Sequence, residues 1–336
     1  MTNTTPKTIL VTGATGYTGQ ALALHLASQG HRVRTLARKT SNTQTLAQNN
    51  IEIIYGDITN ADDVHRAVAG CELVYHIAAC FRTAGHTASY YHAVNVDGAR
   101  FVIDACRKHN VHRLIHCSTG GVHGSVKQIP SDESAPFRPG DLYQLTKLQG
   151  EQLAQNAIKQ GQPISIFRPA GIYGPGDQRF LKLFKTIQQR RFFMFGSGKT
   201  LFHMIYIDDL VDGIIRCGQS PQALGQTYLL AGPRYFTLNE LAQTVANILH
   251  VEPRRGRLPI WPLYVGAAVC ETFCVPLRIN PPLHRRRVDF FTKNRAFSCD
   301  KARRELGYNP KIDLQQGLAA TANWYFEHGQ LNRPNH

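Results

Sequence analysis

Acidic side chains are scarce in this sequence: 23 Asp and Glu stand against 38 Lys and Arg, a formal net charge of +15 over 336 residues. Such a surface attracts nucleic acid, acidic lipid or phosphorylated ligands. Helix-turn-helix, zinc-finger and aromatic RNA-binding signatures are all missing, as is any long block of one sign, so no nucleic-acid partner is expected and a phosphorylated small molecule accounts for part of the charge. The eight cysteines (71, 80, 106, 117, 217, 270, 274, 299) contain no CxxC pair. That argues against a zinc site, and no metal is expected; most of them sit in apolar runs such as LIHCS, which favours buried reduced thiols in a reducing compartment. The opening MTNTTPKTILVTG has no basic region, apolar h-region or cleavage site, so a cytoplasmic location is expected. Repeats, low-complexity tracts and long linkers are absent too, and 43% hydrophobic residues exclude disorder and suffice for one large domain with a smaller one.

What is present is alternation. Short apolar runs (TILVTG, HRVRTLAR, IEIIYGD, ELVYHIAA, HRLIHCST, PISIFRP) are separated by segments with apolar spacing near i, i+3, i+4, such as VNVDGARFVIDACRKHN. Continuous apolar strands between helices predict an α/β, doubly wound parallel sheet covered on both faces, with ligands at the carboxyl ends of its strands. After Pro175 the rhythm changes. Residues 1–175, rejoined by 205–232, read as the dinucleotide-binding domain; 176–204 and 233–330 read as a smaller, mainly helical C-terminal substrate lobe.

TILVTGATGYTGQALALHL places Gly13, Gly16 and Gly19 between the first strand and its helix. Glycine there permits a tight turn and close approach of a pyrophosphate, which the free N–H groups and the positive helix end bind. Thr15 and Tyr17 fall in the same turn. At the end of the second strand, VRTLARKT offers Ala37, Arg38 and Lys39 where an NAD-preferring protein would carry a carboxylate. Arg38 suits a 2′-phosphate, so NADP(H) is the expected cofactor, with NAD(H) as the alternative.

In GDLYQLTKLQGE, Tyr143 stands four residues before Lys147. With 13 Tyr and 12 Lys in the chain, about half a match at this spacing is expected by chance. The pair gains weight from its company. TGATGYTG (12–19), YGDIT (55–59), HIAA (76–79), NVDG (95–98), CSTGGVHG (117–124), YQLTK (143–147), RPAGIYGPGD (168–177) and IYIDDLVDGI (205–214) together resemble the extended short-chain dehydrogenase/reductase family, over nearly the whole chain.

That resemblance implies a Rossmann domain, chemistry on a secondary alcohol or ketone, and a homodimer. It further implies Tyr143 as general acid/base, Lys147 as its electrostatic partner and ribose ligand, and Thr119 as the hydroxyl orienting the substrate oxygen. Asp57 and Ile58 resemble the adenine pocket, Ala78 and Ala79 the floor under the dinucleotide, Pro169 the backbone near the nicotinamide, and Asn95 a residue steadying the active-site strands. Physically, an ammonium one helical turn from a phenol, about 5 Å away, is expected to draw the Tyr143 pKa from ~10 toward neutrality. His123 occupies a position where the family carries Tyr; it either contacts substrate or fills space. His76 reads as a structural residue at a strand end, and Asp208 and Asp209 as an N-cap and its neighbour.

The substrate is a small molecule that family membership alone does not fix. Nucleotide-sugar epimerases and dehydratases often carry Asn two residues after the Pro of RP, where this sequence has Gly171. Epimerisation or dehydration therefore stands as the alternative, while VDFFTKNRAFSCDKARRELGYNP and its companions look similar to the 3β-hydroxysteroid and sterol dehydrogenase branch. Phe81, His123 and Gly171 are the candidate substrate contacts. The apolar run LPIWPLYVGAAVCETFCVPL (258–277) is interrupted by Pro262, Glu271 and Pro276, which argues against a membrane span. It reads either as a gating helix touching a membrane surface, aided by Arg254, Arg255, Arg257 and Arg285 to Arg287, or, as the simpler and preferred expectation, as a buried helix of the second lobe.

Overall fold

The computed structural model describes residues 5–82, 85–252, 256–274 and 285–333. The apolar runs form strands β1 (Thr8–Thr12), β2 (Arg32–Ala37), β3 (Glu52–Tyr55), β4 (Leu73–His76), β5 (Arg113–Cys117) and β6 (Ile164–Pro169). With Thr227–Leu230 they make one seven-stranded sheet in the order Thr227–Leu230, β6, β5, β4, β1, β2, β3. Every pairing is parallel. All residues of β4, β5 and β6 are buried, as a sheet covered on both faces requires. On one face Leu22 and Leu26 of the helix Tyr17–Ser28 pack with Leu210 and Ile214 of the helix Ile207–Gln219; on the other, Val64, Val68, Val102 and Ala154 form a second core. The strand order reverses between β1 and β4, and a crevice opens at their carboxyl ends.

The C-terminal region is mainly helical. Helices Leu181–Gln188, Leu238–Ile248 and Leu314–Glu327 bury Phe184, Leu241, Val245, Leu318 and Tyr325 in a separate core. The last helix opens on a capping box, in which Asp313 and Gln316 satisfy each other's backbone N–H groups. Cys299, Ala302, Leu306 and Tyr308, although late in the chain, pack into the core beneath the sheet.

Two expectations are corrected. The helix Ile207–Gln219 is N-capped by Tyr206, not by an aspartate; Asp208 and Asp209 lie in its first turn. Asp209 instead accepts from the backbone N–H groups of Lys311 at 3.0 Å and Ile312 at 2.9 Å, fastening the approach to the last helix. The apolar run forms the helix Trp261–Cys274, but only Ala267 of it is buried. Trp261, Val265, Val269 and Phe273, spaced one turn apart, are 66%, 54%, 49% and 67% exposed, so the helix presents an apolar stripe outward rather than filling a core. Among the described residues, no helix is long and apolar enough to cross a membrane. Arg254, Arg255, Val275 to Leu277 and the side chains of Arg285 to Arg287 lie outside the described residues. The eight thiols are free; six are buried, while Cys270 and Cys274 on the outward helix are half-buried.

Candidate active site

A cleft of about 690 Å³ runs along the carboxyl ends of β1, β2, β4 and β5 and is closed from the other side by residues of the second lobe. Of the residues singled out from the sequence for cofactor, catalysis and substrate, all but His123 line it.

At one end the glycine turn holds the backbone close. Gly13 has a φ of +75°, and a Cβ on it would come within 2.7 Å of the Ala78 Cα, so only glycine lets the β1 turn lie against the end of β4. A side chain on Gly19 would run into the Gly13 carbonyl. The helix that follows has Gly16 as its N-cap, with no side chain capping it, which leaves its first N–H groups facing the cleft. A cradle without side chains at an uncapped helix start fits a dinucleotide pyrophosphate. Farther along, Asp57 is folded back on Thr59, accepting from its N–H at 2.9 Å and its hydroxyl at 2.8 Å. Arg38 donates to the Tyr90 hydroxyl at 3.1 Å, which holds an exposed guanidinium over this end of the cleft.

At the other end three side chains converge. Thr119 follows β5 and caps a short 3-10 turn, its hydroxyl accepting from the Gly121 N–H at 3.1 Å. Tyr143 and Lys147 project from the helix Leu142–Lys159, whose N-cap Asp141 accepts from the Gln144 N–H at 2.8 Å and pairs with Arg82 at 2.7 Å. Tyr143 and Thr119 line the same end of the cleft. Its ring meets Phe81 edge-on, centroids 4.9 Å apart, and the Arg82 guanidinium stands 5.4 Å from its centroid. Lys147 is buried, and its Nζ donates to the Cys117 carbonyl at 2.5 Å. The expected drop of the phenol toward neutrality is not found. Burial pushes Tyr143 above its ordinary value, outweighing the lowering by Arg82 and by the Thr119 hydroxyl, while burial also lowers Lys147.

Under this triad lies a buried polar layer. Arg168 of β6 and Glu151, two turns after Tyr143, are 2% and 0% exposed and pair at 2.5 Å. Glu151 also accepts from the Ser118 hydroxyl at 2.5 Å, and Arg168 reaches His123 Nε2 at 3.0 Å and the Glu133 carbonyl at 3.0 Å. His123 is thus a structural partner, stacked against Phe137 at 5.6 Å and buried behind the cleft, which corrects its candidacy as a substrate contact. Sequence reasoning missed Glu151 and Arg168. The available signal was a charged residue inside the apolar strand PISIFRP and another on the buried face of the Tyr143 helix. Asn95 accepts from the Cys80 N–H at 2.8 Å and donates to the Thr146 hydroxyl at 2.9 Å, tying the loop after β4 to the same helix. His76 shares a hydrogen bond of 2.9 Å with Thr12. Among the described residues its neighbour His116 meets no partner at either ring nitrogen, and burial, with Lys147 nearby, keeps it neutral.

Residues 9–231 match the model of the NAD dependent epimerase/dehydratase family. The chain belongs to that family. Among its relatives, it is 31% identical over 327 residues to the 2-alkyl-3-oxoalkanoate reductase of Stenotrophomonas maltophilia, with 92% of this chain and 97% of the relative covered. It is 30% identical over 335 residues to a 3-beta-hydroxysteroid dehydrogenase of Mycolicibacterium neoaurum, covering 94% and 91%. The crystal structure of gox2253 superposes with a TM-score of 0.82 at 28% identity, over 98% of this chain and all of that one. This member of the epimerase/dehydratase family is accordingly an NAD(P)-dependent enzyme of the extended short-chain dehydrogenase/reductase type.

Proposed function

We propose that this enzyme interconverts a secondary alcohol and a ketone on a largely hydrophobic substrate, with NADP(H) preferred over NAD(H). The observation that carries the reading is the convergence of Thr119, Tyr143 and Lys147 in the cleft, next to a cradle fit for a dinucleotide. A nicotinamide held in this cleft would supply or accept the hydride. Tyr143 gives its proton to the carbonyl oxygen; a phenol whose pKa burial raises is fully protonated at neutral pH, the state reduction needs. Thr119 holds that oxygen by a second hydrogen bond, and Lys147, one helical turn from Tyr143, stabilises the phenolate left behind. The Arg38 guanidinium supports the NADP(H) preference, since its fork suits a 2′-phosphate.

The opposite wall supports a hydrophobic substrate over a nucleotide sugar. It carries Phe202, Phe290 and Phe297. A Cβ on Gly171 would stand 3.2 Å from the Phe202 ring and 3.3 Å from the His203 carbonyl, so the space that an Asn would need is taken. The relatives named for a hydroxysteroid and an oxoalkanoate act, by those names, on an alcohol or a ketone. The test is nicotinamide absorbance with a panel of ketones and alcohols. Tyr143→Phe is expected to lower kcat by about 10²–10⁴-fold while the melting temperature holds. Wild-type rates in Tyr143→Phe would sink the mechanism.

A further inference from the structure

Among the described residues, four cationic side chains other than Lys147 line the reaction end of the cleft, and three of them have a carboxylate of their own. Arg82 pairs with Asp141 at 2.7 Å, Lys293 with Asp289 at 2.8 Å and Arg179 with Asp177 at 2.7 Å. Arg295 has none. Among the described residues its guanidinium makes no ion pair or hydrogen bond; it lies over the Phe202 ring, 5.8 Å from the centroid. Asp141 and Asp289 stay beyond ion-pair reach of it, each already engaged by its own cation. The residues outside the described set contain no Asp or Glu, so no side-chain carboxylate elsewhere in the chain is left to supply the missing charge.

Burial and the neighbouring Arg82 both disfavour the charged form of Arg295. A guanidinium nonetheless keeps its proton, so this corner of the cleft carries one uncompensated positive charge against aromatic walls. The backbone of Arg295 is fixed, its N–H donating to the Leu201 carbonyl at 2.8 Å, and Phe202 beneath the guanidinium packs against Phe290 at 5.5 Å and beside Gly171. The charge is therefore held on the lobe wall, in the same cleft as Tyr143.

We propose that Arg295 receives a carboxylate of the substrate, so that the enzyme acts on an oxo or hydroxy acid with an apolar body. The inference rests on the reading of the site as a ketone and alcohol oxidoreductase. A carboxylate matches the planar fork of a guanidinium and brings one negative charge, which balances the corner. A phosphate or diphosphate would bring more charge than Arg295, the one cation without a carboxylate among the described residues at this end of the cleft, can answer. The apolar part of the acid packs on Phe202, Phe290 and Phe297.

The probes are phenyl ketones bearing a terminal carboxylate on chains of one, two or three methylenes, each compared with its methyl ester, using the full-length enzyme and reduced NADP. The best acid is expected to exceed its ester about ten- to hundredfold in kcat/KM, mostly through KM. In Arg295→Met the acids fall to the level of the esters, and Arg295→Lys restores part of the difference. With cofactor alone, Arg295→Met melts no lower than wild type, because the side chain it removes has no ionic partner among the described residues. Equal rates for acid and ester in the wild type, or an acid preference that survives in Arg295→Met, overturns the carboxylate site.

If no ketone oxidises the cofactor, the oxidoreductase reading fails and the carboxylate site is judged by melting. A rise in melting temperature given by the acids and not the esters, and lost in Arg295→Met, supports it; no such rise overturns it.

Discussion

On the sheet side of the cleft, Arg168 is 2% exposed and reaches Glu151, His123 and the Glu133 carbonyl, whereas on the lobe side Arg295 lines open space with no ionic partner among the described residues. The contrast extends to the residues around them. Ser118, Glu151, Asn95, Thr146, Thr12 and His76 are buried and hydrogen-bonded to one another or to backbone at the strand ends. Phe202, Phe290 and Phe297 meet the cleft with rings alone. A satisfied buried network fixes geometry, because any displaced member leaves a polar group stranded at low dielectric. Aromatic walls fix little beyond shape and apolarity. The sheet wall therefore suits a reaction common to many substrates, and the lobe wall suits the choice of one.

Acid is expected to break the sheet wall most severely. Burial pushes His76 down to about 3 and, in the lobe wall, His203 down to about 4, and holds His116 well below the ordinary histidine value. These folded-state values lie below the unfolded value of ~6.5, so the unfolded chain takes up protons that the folded one refuses. Stability is then complete above pH ~6.5 and falls as pH drops toward 4, at roughly 1.4 kcal/mol per pH unit for each such histidine. Urea midpoints at neutral pH and near pH 5 measure this; an unchanged midpoint contradicts it.

Next in size is Glu151→Ala, which strands the Arg168 guanidinium in the interior and is expected to cost ~3–5 kcal/mol of unfolding free energy, read from denaturant curves. A loss under 1 kcal/mol would mean that the network is not what holds the sheet wall. The smallest effect tests whether recognition is confined to the lobe wall. Arg38, exposed at the far end of the sheet side with Tyr90 as its hydrogen-bond partner, is expected on replacement by Ser to shift the NADP-to-NAD preference in kcat/KM about tenfold toward NAD, with no change in melting temperature. An unaltered cofactor ratio would remove Arg38 from recognition.

The sheet, its strands and its ligand-bearing edge were legible in the sequence because each rests on local pattern. TILVT and RLIHC are continuous apolar runs, and the glycines between β1 and its helix sit where a turn must be tight. Thr119, Tyr143 and Lys147 could be nominated for the same reason, since one strand end and one helical turn carry them. The partners Glu151 and Arg168 were less legible. A buried ion pair is separated by seventeen positions in the chain and is signalled only by charge where apolar residues belong.

The outward stripe of Trp261, Val265, Val269 and Phe273 was misjudged, because apolar content states that a helix has something to cover and not whether the fold covers it. Likewise, the four-residue spacing of Tyr143 and Lys147 suggested a depressed phenol, but the direction was set by burial, which depends on everything packed around the helix. The sequence by itself determined the parallel sheet, the glycine cradle and the reacting hydroxyls, all of which depend on neighbours a few residues apart. The tertiary structure alone decided that, among the described residues at the reaction end, three arginine and lysine side chains would be answered by carboxylates and Arg295 left over, because charge balance at a site is a sum over residues that meet only when the lobe closes on the sheet.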